Sequence, residues 1–479
     1  MKTKEIFFQK AVETIIYNKH LRPFAVKQLD KYMFNKLSQI DSNVIYDERL
    51  RMKRYQFYSS MLNVANNNLG KGYYSKTVMN KMSHSFTGSK FVMKKEDKIG
   101  EIQIYYKSKY GDYPPGFIVL APSQRCNLHC TGCYAGSTSR TLSTLPYSVV
   151  DSIIGDVHDL FGRKFVVITG GEPFIYKSNG KTLLDIFEKY NDMFFLVYTN
   201  GTLITPSIAQ RLSELGNVTP AISVEGYEQE TDERRGKGVY NKIMKAMENL
   251  RKAGVPFGIS LTATSKNYEL LLTEKFYDYY FEELGVSYMW QFQLMPIGRG
   301  KETFDLIVSP ERRVELYNVW EKLLTEKKYP VADFWNSGIL SNGCIAYGRH
   351  NGYIYIDWNG NIMPCVFVPY YVDNVYDLYK EGKNLAHATL SELMKNGRKW
   401  QQNHEKARKN HLMPCSIRDH YKNFRENILT DNTKPEDIQA AEAIKDPIYF
   451  QSMVSYDEEL TKLTENINEP EFADVLQKT

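Results

Sequence analysis

Apolar positions recur in two periods along this 479-residue chain. From Phe117 onward, short apolar runs suited to buried strands occur at Phe117–Ala121, Phe165–Thr169, Phe194–Thr199, Thr219–Val224, Phe257–Ala263 and Tyr288–Met295. Between them lie segments with apolar residues three and four apart: Ser148–Phe161, Leu183–Tyr190, Ser207–Leu215, Tyr240–Ala253 and Leu270–Leu284. Short buried strands alternating with helices predict an α/β fold, a parallel sheet with helices outside it. Residues 1–110 read as mainly helical: Phe8, Val12, Ile15 and Ile16 share one face, and Ala25, Leu29, Tyr32 and Met33 share another after Pro23, which suits a first helical turn. Ser83–Ser89 reads as a loop, and Ile99, Ile102, Ile104 and Tyr105 as a strand beginning near Lys90. Tyr113-Pro114-Pro115-Gly116 marks a boundary. Pro310–Lys328 is expected to be a helix. Tyr353–Asp357 and Ile362–Cys365 flank Asn359-Gly360, a hairpin turn signal, and the chain beyond Thr433 reads as a helical tail.

These segments divide the chain into a helical region (1–112), the alternating region (113–305), a linker helix (306–343), a small loop-rich domain (344–430) and a tail (431–479). With 42% hydrophobic and 13% aromatic residues, a large core is affordable. The net charge of +5 conceals a gradient. Residues 1–100 carry 19 Lys and Arg against 8 Asp and Glu, a net of +11, and residues 431–479 carry 4 against 12, a net of −8. A basic N-terminal fifth suits an anionic partner, such as an acidic peptide or a lipid headgroup surface; the plainer reading is a solvated face balanced by the acidic tail. No finger spacing or RNA-binding signature is present, so no nucleic-acid partner is expected. No apolar run reaches the roughly 18 residues of a membrane span. The first residues hold no continuous apolar stretch, so no secretory leader is expected.

The six cysteines fall into two sets of three. Cys126, Cys130 and Cys133 form CxxxCxxC, and Cys344, Cys365 and Cys415 form a dispersed set in which four residues separate Gly360 from Cys365. Three thiolates on a [4Fe–4S] cube leave one iron open to a small ligand, whereas four only store electrons. Zinc is the alternative at either set, with His420 as a fourth ligand at the second, although zinc sites favour four ligands and C-x2-C pairs. Cysteines in cluster spacing point to a reducing cytoplasm, with contact to a membrane surface through the basic N-terminal region as a variant of that expectation.

CxxxCxxC followed by Tyr134 resembles the signature of the radical S-adenosylmethionine (radical SAM) superfamily. The resemblance runs from about Phe117 to Arg299, and a second similarity reaches about His420. It implies a partial (β/α)6 TIM-like barrel with functional residues at the C-terminal strand ends. It also implies that SAM, held by its methionine amino and carboxylate groups on the open iron, is cleaved reductively to a 5′-deoxyadenosyl radical that takes hydrogen from a substrate. One departure is Gly132, where the family often has an aromatic residue; that leaves main-chain contact to adenine, with Tyr134 as a substitute.

Further motifs fit the resemblance. Gly170-Gly171-Glu172-Pro173 resembles the GGEP motif that binds the SAM amino group. Asn200, after the third strand, corresponds to a position beside the cofactor. Ser223 and Glu225 resemble a Ser-x-acid pair that holds the ribose, and Arg235 an arginine that pairs with the SAM carboxylate, which a bidentate guanidinium suits. Read without the resemblance, these residues are strand-end turns, caps and surface charge. Gln291 and Gln293, alternating with Phe292 and Leu294, are expected to point into the barrel. Cys344, Gly360 and Cys365 resemble the opening of a SPASM/Twitch auxiliary-cluster domain. Three cysteines in place of seven imply one auxiliary [4Fe–4S] cluster, its fourth ligand substrate, water, Asp419 or His420. The resemblance thus implies a radical SAM enzyme fed electrons by a reductant such as flavodoxin or ferredoxin. Its substrate would be a peptide or protein in preference to a lipid or small molecule. The contrasting class is a non-catalytic iron–sulfur electron carrier.

Overall fold

The computed structural model describes residues 17–38, 48–87, 98–406, 410–465 and 467. The expected face of Phe8, Val12, Ile15 and Ile16 lies outside them. Six parallel strands run in chain order: β1 (Phe117–Leu120), β2 (Phe165–Ile168), β3 (Phe194–Thr199), β4 (Val218–Ser223), β5 (Gly258–Ala263) and β6 (Met289–Gln293). Each coincides with an expected strand to within two residues at either end. Burial on both faces explains their continuous apolar sequences; Ile118, Val166, Phe195, Ile222 and Ile259 are fully buried. Helices between successive strands cover the outside, among them Pro206–Leu215, capped by Thr205 and closed by Gly216 in the left-handed region, and Val239–Ala253.

The sheet extends beyond six strands. On one side β7 (Val331–Asp333), too short to carry a period, pairs parallel with β6. On the other side β8 (Tyr353–Ile356) pairs parallel with β1, and β9 (Asn361–Met363) returns antiparallel to it. The expected hairpin is thus present, and it continues the same sheet. Its turn is held by the Asp357 carboxylate, which accepts from the backbone N–H groups of Asn359 and Asn361, with Gly360 at φ +82°.

Among the described residues, four helices precede the barrel: α1 (Leu21–Ser38), α2 (Glu48–Gly70), α3 (Lys76–Thr87) and α4 (Lys98–Tyr110). Two expectations are corrected here. The residues from 98 onward form α4 and not a strand: Ile102, Tyr106 and Tyr110 repeat at helical spacing, and the last two are buried, Tyr106 with its ring edge-on to Phe161. Ser83 to Thr87 belong to α3 and not to a loop. Leu29 and Tyr32, expected on an inward face of α1, are exposed, and Val26, Met33 and Phe34 are more covered, with Phe34 packed edge-on against Tyr55 of α2. Ion pairs from Lys53 to Glu321 and from Lys71 to Glu282 tie α2 and the turn after it to the outer helices of the barrel. No helix among the described residues is long and apolar enough to cross a membrane.

The acidic tail is helical, as expected, and helix Pro447–Thr464 buries Tyr449, Met453 and Leu460 against the fold. Burial pushes the Asp457 carboxyl up to about 8, although one oxygen accepts the Tyr421 N–H at 2.7 Å. An acid with a raised folded pKa stabilises the fold most below its unfolded value of about 3.9, and loses that contribution as pH rises through its folded value. Between pH 5 and pH 8 the wild-type melting temperature should therefore fall further than that of Asp457→Asn, as thermal unfolding followed by circular dichroism will show.

Candidate functional site

The C-terminal ends of the strands surround one continuous cavity of about 550 Å³, and both cysteine sets line it. Cys126, Cys130 and Cys133 lie on the loop after β1. Glycine backbone fixes that loop: the N–H of Gly171 donates to Ser123 O at 2.9 Å and that of Glu172 to Arg125 O at 2.8 Å. A methyl group on Gly171 would lie 2.0 Å from Arg125 O, so the close approach requires glycine. Gly171→Ala should displace the cysteine loop and lower reconstituted iron by about four per chain, as measured by colorimetric iron assay. Two arginines hold the other side of the loop. Arg299 donates to the carbonyls of Cys130 (3.1 Å) and Ser137 (3.0 Å), and Arg234 exchanges main-chain and side-chain bonds with Thr131. Neither positioning role was legible beforehand; Arg299 marked the end of the family resemblance, with no signal that it reaches the cysteine loop.

Gly132 has φ +65°, and a methyl group there would meet Leu294 at 2.8 Å, which accounts for the missing aromatic residue at this position. Tyr134 lines the cavity, and its hydroxyl bonds with Thr169 Oγ1 at 2.9 Å.

The other strand-end residues divide into those on the cavity and those behind it. Gly170, Gly171, Asn200, Ser223 and Arg235 line it, joined by Ser260 and Thr262 of β5, which no motif had marked. Glu172 and Glu225 are buried beside this wall. Glu172 accepts from Thr199 Oγ1 (2.7 Å), Asn200 N (2.8 Å) and Phe174 N (3.1 Å), joining the ends of β2 and β3. Burial raises its pKa and these donors oppose the rise. Glu225 accepts from Arg235 Nε at 2.9 Å and pairs with Arg234, holding both guanidinium groups near the cysteine loop; Arg235 Nη1 lies 4.0 Å from Cys130 Sγ.

The second set, Cys344, Cys365 and Cys415, opens on the same cavity from the far part of the chain. Thiols of both sets receive hydrogen bonds. Cys126 Sγ accepts from Leu128 N (3.4 Å) and Asn200 Nδ2 (3.7 Å), and Cys365 Sγ from Phe367 N (3.4 Å), with the Tyr353 hydroxyl 2.9 Å away. Burial pushes the thiols of Cys126 and Cys365 up to about 12 and raises those of Cys130, Cys344 and Cys415. Thiolates there need a strong cation, which an iron cluster supplies. The donors already aimed at sulfur also suit a cluster, so the residues present fit one at each set. Among the described residues no three Cys, His, Asp or Glu side chains converge tightly enough to hold a single metal ion, which a zinc site requires. Asp419 and His420 are occupied: Asp419 bonds Arg313 and the Cys415 N–H, and His420 Nε2 meets Met413 O at 2.9 Å.

Between the two sets the wall is aromatic. Phe292, Phe334, Trp335 and Phe367 touch one another with ring centroids 5.0–6.4 Å apart, and Phe367 approaches Tyr134 at 6.2 Å. Gln291 is corrected here: it turns away from the cavity to bond Tyr277 and Asp333, while Trp290 and Phe292 face inward. Gln293 does line the cavity. The described wall includes no Asp, Glu, Lys or His; its titratable side chains are arginines, tyrosines and the six cysteines.

The family model for the Radical SAM superfamily matches residues 120–267. An AdoMet-dependent heme synthase of Methanosarcina barkeri is 27% identical over 291 residues, covering 54% of this chain and 79% of that protein. The mycofactocin maturase MftC of Mycolicibacterium smegmatis is 28% identical over 276 residues, covering 54% and 65%. Among solved structures, Streptococcus suis SuiB bound to S-adenosylmethionine superposes with a TM-score of 0.49 at 15% identity, covering 72% of this chain and 83% of that one. Residues 120–267 of this chain are a radical SAM domain, of the superfamily whose cofactors are a [4Fe–4S] cluster and S-adenosylmethionine.

Proposed function

We propose that this chain is a two-cluster radical SAM enzyme that abstracts hydrogen from a peptide held between its cysteine sets. The observation that carries this reading is the single cavity lined by both sets. Cys126, Cys130 and Cys133 would hold the SAM-binding cluster, and Cys344, Cys365 and Cys415 an auxiliary one. When bound, the first cluster and SAM supply the 5′-deoxyadenosyl radical, using one electron from a reductant such as flavodoxin or ferredoxin. Gly170 and Gly171 would let backbone approach the methionine amino group, Arg235 would pair with its carboxylate, and Ser223 would hold the ribose, with Asn200 beside them. Glu172 and Glu225 act from behind, the first by fixing the turn and the second by orienting Arg235. A wall without Asp, Glu, Lys or His suits radical chemistry, because hydrogen abstraction needs no protein base. It suits a water-excluding site as well, since the radical must be kept from side reactions.

The division into residues 1–112, 113–305, 306–343, 344–430 and 431–479 then has a functional sense. The first part contributes Arg54, Phe57 and Tyr58 of α2 to the cavity wall and is the source of substrate choice. Among the similar proteins, MftC is named a mycofactocin maturase, and SuiB has been solved bound to a precursor peptide, SuiA. The test is a Cys344/Cys365/Cys415→Ala triple variant, reconstituted anaerobically. Iron should fall from about eight to about four per chain. SAM cleavage without substrate should persist, read by chromatography of 5′-deoxyadenosine. Unchanged iron would refute the auxiliary cluster.

A further inference from the structure

The aromatic wall has an unusual polar pattern. The indole Nε1–H groups of Trp290 and Trp335 are buried and have no hydrogen-bond partner in the protein. The Gln293 carboxamide at the end of β6 is 3% exposed, and neither its oxygen nor its nitrogen is bonded. All three residues line the cavity. A buried Trp N–H normally finds an acceptor, and a buried donor left without one destabilises the fold. Three such side chains around one patch of four rings describe a site whose partners arrive with a ligand. Two indoles require acceptors, and a carboxamide is satisfied by one acceptor and one donor together. A main-chain amide offers that pair, and carbonyl oxygens offer the rest.

The charge pattern narrows the ligand further. The wall includes no Lys or His among the described residues. Its arginines are engaged: Arg54 with Leu340 O at 2.6 Å, Arg234 with Glu225, Arg235 with Glu225 and, in the proposed complex, the SAM carboxylate, and Arg299 with the cysteine loop. A ligand with several carboxylates would meet no uncommitted cation at the ring patch. Phe292, Phe334 and Phe367, each only half-buried, instead present apolar ring surface to the cavity.

We infer that the surface formed by Phe292, Phe334, Trp335 and Phe367 is the subsite for an uncharged aromatic or bulky apolar residue of the peptide, whose main-chain amides are bonded by Trp290, Trp335 and Gln293. This rests on the two-cluster reading above and adds which residue of the peptide is presented for abstraction. Trp290, Trp335 and Gln293 are then specificity-determining residues, matched to neutral main chain and unsuited to a polycarboxylate.

The test uses the reconstituted holoenzyme under argon, with SAM present, and isothermal titration calorimetry with four probes. These are N-acetyl-L-phenylalaninamide, the corresponding N-acetyl-L-glutamic acid amide, toluene, and coproporphyrin III as a carboxylated macrocycle. N-Acetyl-L-phenylalaninamide should bind at least tenfold more tightly than the glutamic acid amide. Trp335→Phe and Trp290→Phe should each weaken it by about five- to tenfold, the scale of one neutral hydrogen bond, while toluene, which has no acceptor, loses less than twofold. Gln293→Leu, which keeps the bulk and removes the carboxamide, should weaken it similarly. Equal affinity for the neutral and acidic amides, tighter binding of coproporphyrin III, or equal losses for toluene and the amide would overturn the inference. Formation of 5′-deoxyadenosine by the same wild-type preparation tests the underlying reading separately, so the two can fail independently.

Discussion

Replacing Cys126, Cys130 and Cys133 together with alanine should abolish 5′-deoxyadenosine formation while leaving about four irons per chain. The loss follows from placement. These thiols sit on the loop that passes over Gly170 and Gly171, beside Asn200 and Arg235, and the second set has no comparable neighbours at strand ends. Under the proposed function, radical formation belongs to the first set alone. The remaining four irons would be those of Cys344, Cys365 and Cys415. The checks are iron and sulfide analysis and chromatography of the nucleoside after incubation with dithionite and SAM. Residual cleavage in the variant would move the chemistry to the second set.

The largest stability effect is expected at Arg313. Its guanidinium is 1% exposed and its partner Asp419 is 0% exposed, with Nη1 to Oδ1 at 2.5 Å. The same side chain donates to Leu412 O at 2.6 Å and Asn336 Oδ1 at 3.2 Å, and Asp419 accepts the Cys415 N–H at 2.9 Å. Helix Pro310–Lys322, the segment after β7 and the Cys415 loop thus meet at one buried pair. Arg313→Ala leaves a buried carboxylate without its counter-ion, which costs about 3–5 kcal/mol. Its melting temperature should fall by several degrees, and the auxiliary cluster should be lost before the SAM cluster, because the pair anchors only Cys415. Arg313→Lys should rescue little, since one ammonium cannot span the three partners. Chemical denaturation and the iron content of the soluble fraction will measure both effects.

The six-strand core was legible because its strands are buried on both faces and its helices on one, so each period is unmistakable. The N-terminal region was less so. In α4 the stripe of Ile102, Tyr106 and Tyr110 is interleaved with the exposed Ile104 and Tyr105, and apolar residues on both faces obscure a helical period. β7 escaped notice because three residues carry no period. At the site, the cysteines and the strand-end motifs were legible because their chemistry demands particular residue types at fixed spacing. The orientation of the acids was not. Glu172 and Glu225 serve the turn and the arginine from behind, which depends on which way a buried carboxylate turns. Nor could spacing show that β8 would pair with β1 and so bring Tyr353 against Cys365, placing the second set at the mouth of the same barrel. The aromatic patch was invisible for the same reason: Phe292, Phe334 and Trp335, and Phe367 come from three separate strand ends and loops.

The proposed function requires two clusters in one cavity, only one of which meets SAM. Electron paramagnetic resonance of the dithionite-reduced wild type, recorded with and without SAM, decides this. Two overlapping [4Fe–4S] signals are expected, one of which changes on adding SAM while the other does not, and only the unchanged signal in the Cys126/Cys130/Cys133→Ala variant. A single signal in the wild type, or two that both ignore SAM, would contradict it.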